Sequence, residues 1–350
     1  MSLPSTFLLV GNFLSSKNGS RSVGEELADR LQGKGFSVVS ASRQRFRPLR
    51  FLDMLFTAWL HRKKYQVAYV EVYSGLAFIW AESVCWILNK IQKPYIVALH
   101  GGNLPVFACR WPKRVKRLLS SAPIAIAPSS YLIKEMFVYR RDIHLIPNPI
   151  EVRSYPFRLR SKPEPHLIWL RAFHNIYNPQ MVPSIMAELR KVFPGIVVTM
   201  IGPDKGDGAL YETQKRIEAF GLQQSIKIVK GIPKSHVPKM LELGDIFINT
   251  ANIDNTPVSV IEAMASGLCV ISTNVGGIPY LLEDQEDSLL VPADDVDAMV
   301  VAVKRILTEP DLAERLSGNA RRKAEQFDWS VVLPQWEKLF SEVASLRTAN

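Results

Sequence analysis

The sequence predicts an α/β protein of two Rossmann-like domains, each a parallel sheet wrapped by helices. Three observations carry that expectation. Short, β-branched apolar runs alternate with helix-length segments along the chain, which implies parallel strands joined by helical crossovers. The 350 residues are 47% hydrophobic and 22% charged, a globular composition at a length that suits two domains. From residue 147 to 165 the alternation stops, and Pro147, Pro149, Pro156, Pro163 and Pro165 stand among charged residues with linker composition.

In the first half, strands are expected at Phe7–Val10, Phe36–Val39, Val67–Val72, Tyr95–Leu99, Ile124–Ala127 and Ile143–Ile146. Val23 to Leu31 has helical spacing and is closed by Gly33 and Gly35. The turn after the first strand contains Gly11, Asn12 and Gly19 but lacks the Gly-x-Gly-x-x-Gly spacing of a dinucleotide site. It still lies at a carboxyl strand end, where doubly wound sheets bind ligands, so these three residues are candidates for a cleft loop. The alternative is that the glycines only shape a turn. His100, followed by Gly101 and Gly102, stands at another carboxyl strand end, where a lone histidine reads either as a ligand group or as a capping or packed residue.

In the second half, strands are expected at His166–Leu170, Ile196–Ile201, Ile226–Val229, Ile246–Asn249, Cys269–Ser272 and Leu289–Val291. Gly202 and the pair Gly231-Ile232 follow two of them and are candidates for the wall of a ligand site, with ordinary turns as the alternative. Asp295-Val296-Asp297 has the look of a metal motif, yet its place before a helix reads as an N-cap turn. No metal-ligand cluster is evident. Residues 310–327 and 329–344 are helical by spacing.

Net charge is +10, unevenly placed: residues 1–155 hold 22 Lys and Arg against 9 Asp and Glu, and the remainder 21 against 24. A basic half implies an anionic partner. Arg43 to Lys64 sets apolar residues at helical spacing between basic ends, and Arg110 to Arg117 forms a second basic cluster. Neither resembles a nucleic-acid motif. The first reads either as a helix packed on the sheet with solvated basic ends or as an interfacial helix drawn to anionic lipid, with Trp59 and the Arg cluster at headgroup level, an attraction that salt should weaken. Cys85, Cys109 and Cys269 show no metal spacing and suit reduced thiols in a cytoplasm. The apolar opening lacks a basic n-region and a cleavage site, so a first strand is expected there and no signal peptide.

The chemistry concentrates between Asn249 and Leu282. A polar loop with Asp254, Asn255 and Thr256 meets Pro257, an apolar helix runs to Ser266, and Gly267 suits the left-handed position past its end. Free N–H groups at such a helix start favour anions. Glu262 lies further along the same helix among Ala263, Met264, Ala265, Ser266 and Gly267, a close-packed run in which a carboxylate needs a partner. Asp254 reads either as a ligand group or as an Asx-turn and cap.

This stretch resembles the donor-site signature of retaining family-4, group 1 glycosyltransferases. The match is Glu262-Ala263-Met264-Ala265-Ser266-Gly267 followed by Gly276-Gly277-Ile278-Pro279, with Asp254 where the family has Glu. The resemblance implies a GT-B architecture: two Rossmann-like domains facing a cleft, the first at 1–155, the donor domain at 156–329, and a last helix, about 330–350, crossing back to the first domain. It implies transfer of a hexose-type sugar from a UDP- or GDP-sugar, with no metal or other cofactor, to a glycan or lipid-linked acceptor in cell-surface polysaccharide synthesis. The implied setting is cytoplasmic, with peripheral attachment to the inner face of a membrane as an option. In the family's pattern Glu262 accepts the ribose hydroxyls, His100 reaches the transferred sugar, and Arg171 with a lysine five residues later clamps the diphosphate. Here position 176 is Ile. Either the clamp is built differently, with His174, Asn175, Tyr177 or Lys205 compensating, or donor binding is weak. Asp254 would accept from a sugar hydroxyl, and Asn255, Thr256 and Pro257 would present the helix start. Two rival readings are a degenerate member that only binds a sugar nucleotide or a partner, and a sugar-nucleotide epimerase.

Overall fold

Each apolar run does become a strand. In a computed structural model describing residues 5–14 and 22–345, the described strands sort into two six-stranded sheets, all parallel. The first contains β1 (Thr6–Val10), β2 (Ser37–Ala41), β3 (Val67–Val72), β4 (Tyr95–Leu99), β5 (Ile124–Ala127) and β6 (Ile143–Leu145), in the order β2-β1-β3-β4-β5-β6. Strand order reverses between β1 and β3, and the carboxyl ends there are the place where such sheets bind ligands. The joining helices are α1 (Val23–Gly33), α2 (Arg47–Leu60), α3 (Leu76–Lys90), α4 (Leu104–Arg110), α5 (Pro112–Ser121) and α6 (Ser130–Met136). Right-handed crossovers put α2 to α6 on one face and α1 on the other. Helix α1 opens with a capping box, Ser22 accepting from the Glu25 N–H and the Glu25 carboxylate accepting from the Ser22 N–H.

The second sheet contains β7 (His166–Leu170), β8 (Val197–Ile201), β9 (Ile226–Val229), β10 (Ile246–Asn249), β11 (Cys269–Thr273) and β12 (Ser288–Val291), in the order β12-β11-β10-β7-β8-β9. Its reversal lies between β7 and β10. Around it lie α7 (Met181–Leu189), α8 (Ala209–Ala219), α9 (Val237–Leu241), α10 (Val258–Ala265), α11 (Ile278–Leu281), α12 (Val296–Thr308) and α13 (Leu312–Ala324). The Asp295 side chain accepts from the Ala298 N–H and caps α12, as its position before a helix suggested.

The chain divides into two units, residues 1–149 with 330–350, and residues 150–329. The proline-rich stretch is fastened to the second unit. Ile150, Val152 and Tyr155 are buried in its core, and the guanidinium of Arg160, 2% exposed, donates to the carbonyls of Ser266 and Gly244 beside Asp245. The last helix, α14 (Trp329–Ser345), belongs from Ser330 onward to the first unit. There Trp336 meets Tyr69 edge-on at 5.5 Å and Phe340 stacks on Phe7 at 4.4 Å. Burial of two large aromatics on the sheet face away from α2 to α6 explains why the chain returns there.

Candidate functional site

At the switch point of the second sheet, Arg171 follows β7 and the loop 250–257 follows β10. The guanidinium of Arg171 forms an ion pair with Asp254 and lies over the Tyr177 ring, 4.2 Å from its centroid. Burial pushes the guanidinium below its ordinary pKa, opposed by Tyr177 and Glu262. Asp254 also accepts from the Asn255 N–H at 2.9 Å, a bond to the next residue that falls short of the two-residue reach of an Asx-turn, and the N-cap of α10 is Pro257, so the ion pair is the role its carboxylate fills. Glu262, 4% exposed on α10, accepts from the Tyr155 hydroxyl at 2.7 Å and lies 3.5 Å from the ammonium of Lys234. This buried carboxylate therefore has the partners that burial demands.

The second glycine turn braces the loop from behind. A Cβ on Gly276 would sit 2.1 Å from the Asp254 carbonyl oxygen, and one on Gly277 would sit 2.0 Å from that of Asn255. The Gly277 N–H donates to the Asp254 carbonyl at 3.1 Å. Gly202 works in the same way behind Arg171: its Cβ would lie 1.8 Å from the Arg171 carbonyl oxygen, and the Gly231 N–H donates to the Gly202 carbonyl at 3.2 Å. Ile232 is half-buried beside this turn. Asn255 and Pro257 are buried and Thr256 is half-buried. Pro257 is the N-cap residue of α10 and not, as expected, within its first turn. Among the described residues, Arg171 Nε, Thr256 Oγ1 and Ser259 Oγ are buried polar atoms with no hydrogen-bond partner. Three such atoms around one helix start are a set of groups that a polar ligand can satisfy.

Of the four residues expected to stand in for the lysine absent at 176, only Tyr177 is shown in contact with Arg171. His174 accepts from the Ile176 N–H and lies 3.4 Å from Asp207, Asn175 donates to Asp207, and Lys205 is exposed. The cation beside the buried carboxylate is Lys234. It and Tyr155 escaped the sequence reading, Tyr155 because it lies in a stretch of linker composition and Lys234 because it follows a short Gly-Ile-Pro turn. Tyr155 stands between Ser154 and Pro156, eleven positions before β7, and no local pattern marks it.

The first unit carries a different cluster at its own switch point. Gly11 and Asn12 follow β1, and both close around the carboxylate of Glu71, a residue the sequence reading passed over. A Cβ on Gly11 would sit 2.4 Å from Glu71 Oε2, and one on Gly24 2.6 Å from Oε1. The N–H groups of Asn12 and Gly24 donate to Glu71, as does the Tyr73 hydroxyl at 3.4 Å. Desolvation outweighs those bonds and pushes the carboxyl up to about 7. The Asn12 side chain accepts from Arg50 at 3.0 Å. His100 stacks on Tyr73 at 5.2 Å, its Nε2 lies 3.1 Å from the Tyr69 hydroxyl, and burial pushes it down to about 4. Gly19 lies outside the described residues.

Residues 155–323 match the family model described as "Glycosyl transferases group 1". An Escherichia coli UDP-Gal:alpha-D-GlcNAc-diphosphoundecaprenol alpha-1,3-galactosyltransferase is 24% identical over 207 residues, which cover 55% of this chain and 51% of that protein. The chain thus spans about half the length of this relative. A Campylobacter jejuni alpha-1,4-N-acetyl-D-galactosaminyltransferase, whose acceptor is named as a GalNAc-containing undecaprenol diphosphate, is 23% identical over 275 residues, 77% of this chain and 74% of that one. The crystal structure of Anabaena HepE with UDP and glucose superposes with a TM-score of 0.76 at 15% identity, covering 97% of this chain and 100% of that one. That likeness shows the fold, GT-B.

Proposed function

We propose that this chain, whose residues 155–323 match the family model of the group 1 glycosyl transferases, is a retaining transferase of that family. It moves a hexose-type sugar from a nucleotide-diphosphate sugar to a glycan or a lipid-linked glycan, at the cytoplasmic face of a membrane. The observation that supports this reading best is the buried constellation at the start of α10, in which Arg171 keeps an unpartnered Nε beside the open hydroxyls of Thr256 and Ser259. Arg171 and the loop N–H groups stabilise the departing diphosphate, Glu262 accepts the ribose hydroxyls, and Asp254 trades part of its ion pair for a sugar hydroxyl. The glycosidic bond to the diphosphate breaks as the acceptor oxygen attacks the same face. The leaving phosphate takes the acceptor proton. This reading gives no step to a metal, so turnover is expected to survive a chelator.

HepE with UDP bound and the two undecaprenol-diphosphate relatives support the donor and acceptor classes named here. The test is calorimetry against a panel of UDP- and GDP-sugars, followed by turnover with the sugar that binds and an oligosaccharide acceptor, the product anomer being read by NMR. Binding with retained anomeric configuration is expected. Binding without turnover on any acceptor would favour a degenerate binding protein, and an altered free sugar nucleotide would favour an epimerase.

A further inference from the structure

The helical layer formed by α2 to α5 presents an apolar face to the outside. On α2, Arg50, Met54 and Ala58 face inward, yet the opposite side is also apolar: Leu49, Leu52, Phe56 and Trp59 recur at helical spacing and are exposed, Phe56 by 58% and Trp59 by 48%. Helix α3 packs beside α2 and repeats the pattern with Leu76, Ile79 and Trp86, the last 63% exposed. Between α2, α3 and α5 an open groove of about 560 Å³ continues this surface inward, lined by Leu55, Trp86, Ile87 and Leu118 and also by polar residues such as Glu82 and Arg117. A helix with apolar residues on both sides is either covered or placed in a medium that is itself partly apolar.

Charge decides which. Between residues 43 and 121 there are fourteen Lys and Arg and three acids, of which Glu71 is buried at the strand ends and Glu82 is held by Arg114 and Arg117. Each exposed tryptophan of the face carries a cation over its ring: Arg62 at 4.1 Å from Trp59, Lys90 at 5.9 Å from Trp86, and Arg110 at 5.9 Å from Trp111. Aromatic rings with cations beside them, bordering an apolar field, match the level of a bilayer where acyl chains give way to headgroups. No helix among the described residues is long and apolar enough to cross a membrane.

We propose that the exposed stripe Leu49, Leu52, Phe56, Trp59 of α2, together with Leu76, Ile79 and Trp86 of α3, inserts into the interface of an anionic bilayer, the surrounding Lys and Arg resting on lipid phosphates. This deepens the membrane part of the function proposed above and rests on it only for the reason to be there. It also changes the electrostatic expectation from the sequence. An inserted face holds on when salt has screened the charges, whereas a purely electrostatic one lets go. Arg50 is not among the cations that meet lipid, because it is buried and bonded to the carbonyls of Gln44 and Arg45 and to Asn12.

The experiment uses the full chain with vesicles of phosphatidylcholine alone or mixed with phosphatidylglycerol. The wild type should bind the mixed vesicles, should keep a measurable fraction bound at about 1 M salt, where the Debye length is about 3 Å, and should have its tryptophan emission quenched by lipids brominated in the acyl chain. Phe56→Asp with Trp59→Asp should lower partitioning at least about tenfold, about 1.4 kcal/mol, while nucleotide-sugar affinity and turnover on a water-soluble acceptor stay unchanged. Full release by salt together with unquenched tryptophans overturns insertion, and so does a double variant that binds like the wild type. Sedimentation is the remaining arm: a wild-type dimer that the same two substitutions dissociate would show that a second copy covers this face, and the proposal would be wrong. Donor affinity is read separately, so failure of the transferase reading would appear there and not in the vesicle arms.

Discussion

Both units use the same scaffold, a six-stranded parallel sheet with one reversal of strand order, and each collects its ionisable groups at that reversal. They treat those groups in opposite ways. In the second unit the charges are kept and paired, Arg171 with Asp254 and Lys234 with Glu262. In the first, burial pushes Glu71 up to about 7 and His100 down to about 4, so both move toward the neutral form. Fixed charges stabilise a charge that develops on a leaving group, and neutral donors and acceptors suit an uncharged hydroxyl. The fold dictates where a ligand sits, and the side chains decide whether that place reads charge or hydrogen bonding.

The comparison is most easily broken at Arg171. If the second site works by charge, Arg171→Ala should lower kcat/KM by about 100-fold, near 2.7 kcal/mol of transition-state stabilisation. Arg171→Lys should recover little, because a lysine keeps the charge but not the guanidinium's forked donors and its contact over the Tyr177 ring. Activity within about threefold of the parent in steady-state assays would mean that another group carries the phosphate.

Glu262→Gln is the next test, and it separates the carboxylate from its neighbours. The substitution keeps an acceptor for Tyr155 but removes the charge that holds Lys234, so donor affinity should fall about tenfold, with the thermal midpoint nearly unchanged. Lys234→Ala should act the other way on Glu262, leaving it buried with less compensation and lowering stability by about 1 kcal/mol. Unchanged donor affinity in calorimetry of the Glu262 variant would remove this residue from the site.

How far the sequence foretold all this depended on how local each signal was. Every expected strand formed within a residue or two of its place, because β-branched runs between glycine turns are a short-range pattern. Gly267 does take the left-handed conformation, with φ at 73°, for the same local reason. Tyr155 is 107 residues from Glu262, and nothing in the proline-rich stretch around it tells of that bond. Glu71 reads as one polar residue in an apolar strand. Only the folded sheet brings the N–H groups of Asn12 and Gly24 to its carboxylate. The outer side of α2 was half legible: one of the two readings of Arg43 to Lys64 sets Trp59 at a lipid surface, but helical spacing of apolar residues does not say which side meets the sheet, and the exposure of Phe56 emerges only in the fold.

The smallest expected effect is also the sharpest probe of the neutral cluster, because its two members oppose each other in pH. A carboxyl raised from 4.5 to about 7 binds its proton more tightly in the folded chain, so the stability Glu71 contributes is full below 4.5 and is lost as pH rises toward 7. A histidine lowered from 6.5 to about 4 behaves in reverse: its contribution is full above 6.5 and is lost as pH falls toward 4. Between about 4.5 and 6.5 the two slopes have opposite sign, and their sum should be nearly flat. Glu71→Gln removes one of them. The stability of that variant should then decline on acidification across this window by on the order of 2 kcal/mol relative to the parent, the His100 slope being left alone. His100→Gln should show the mirror image, a decline as pH rises through the same window. Glu25, Tyr69 and Tyr73 also face the cluster, but Tyr69 and Tyr73 are raised well above 10 and do not titrate in this range. Urea unfolding at half-unit pH steps, followed by tryptophan emission, reads both slopes. Parallel pH profiles for the parent and both variants would show that neither group is held near neutrality by burial, and the contrast between the two sites would fall.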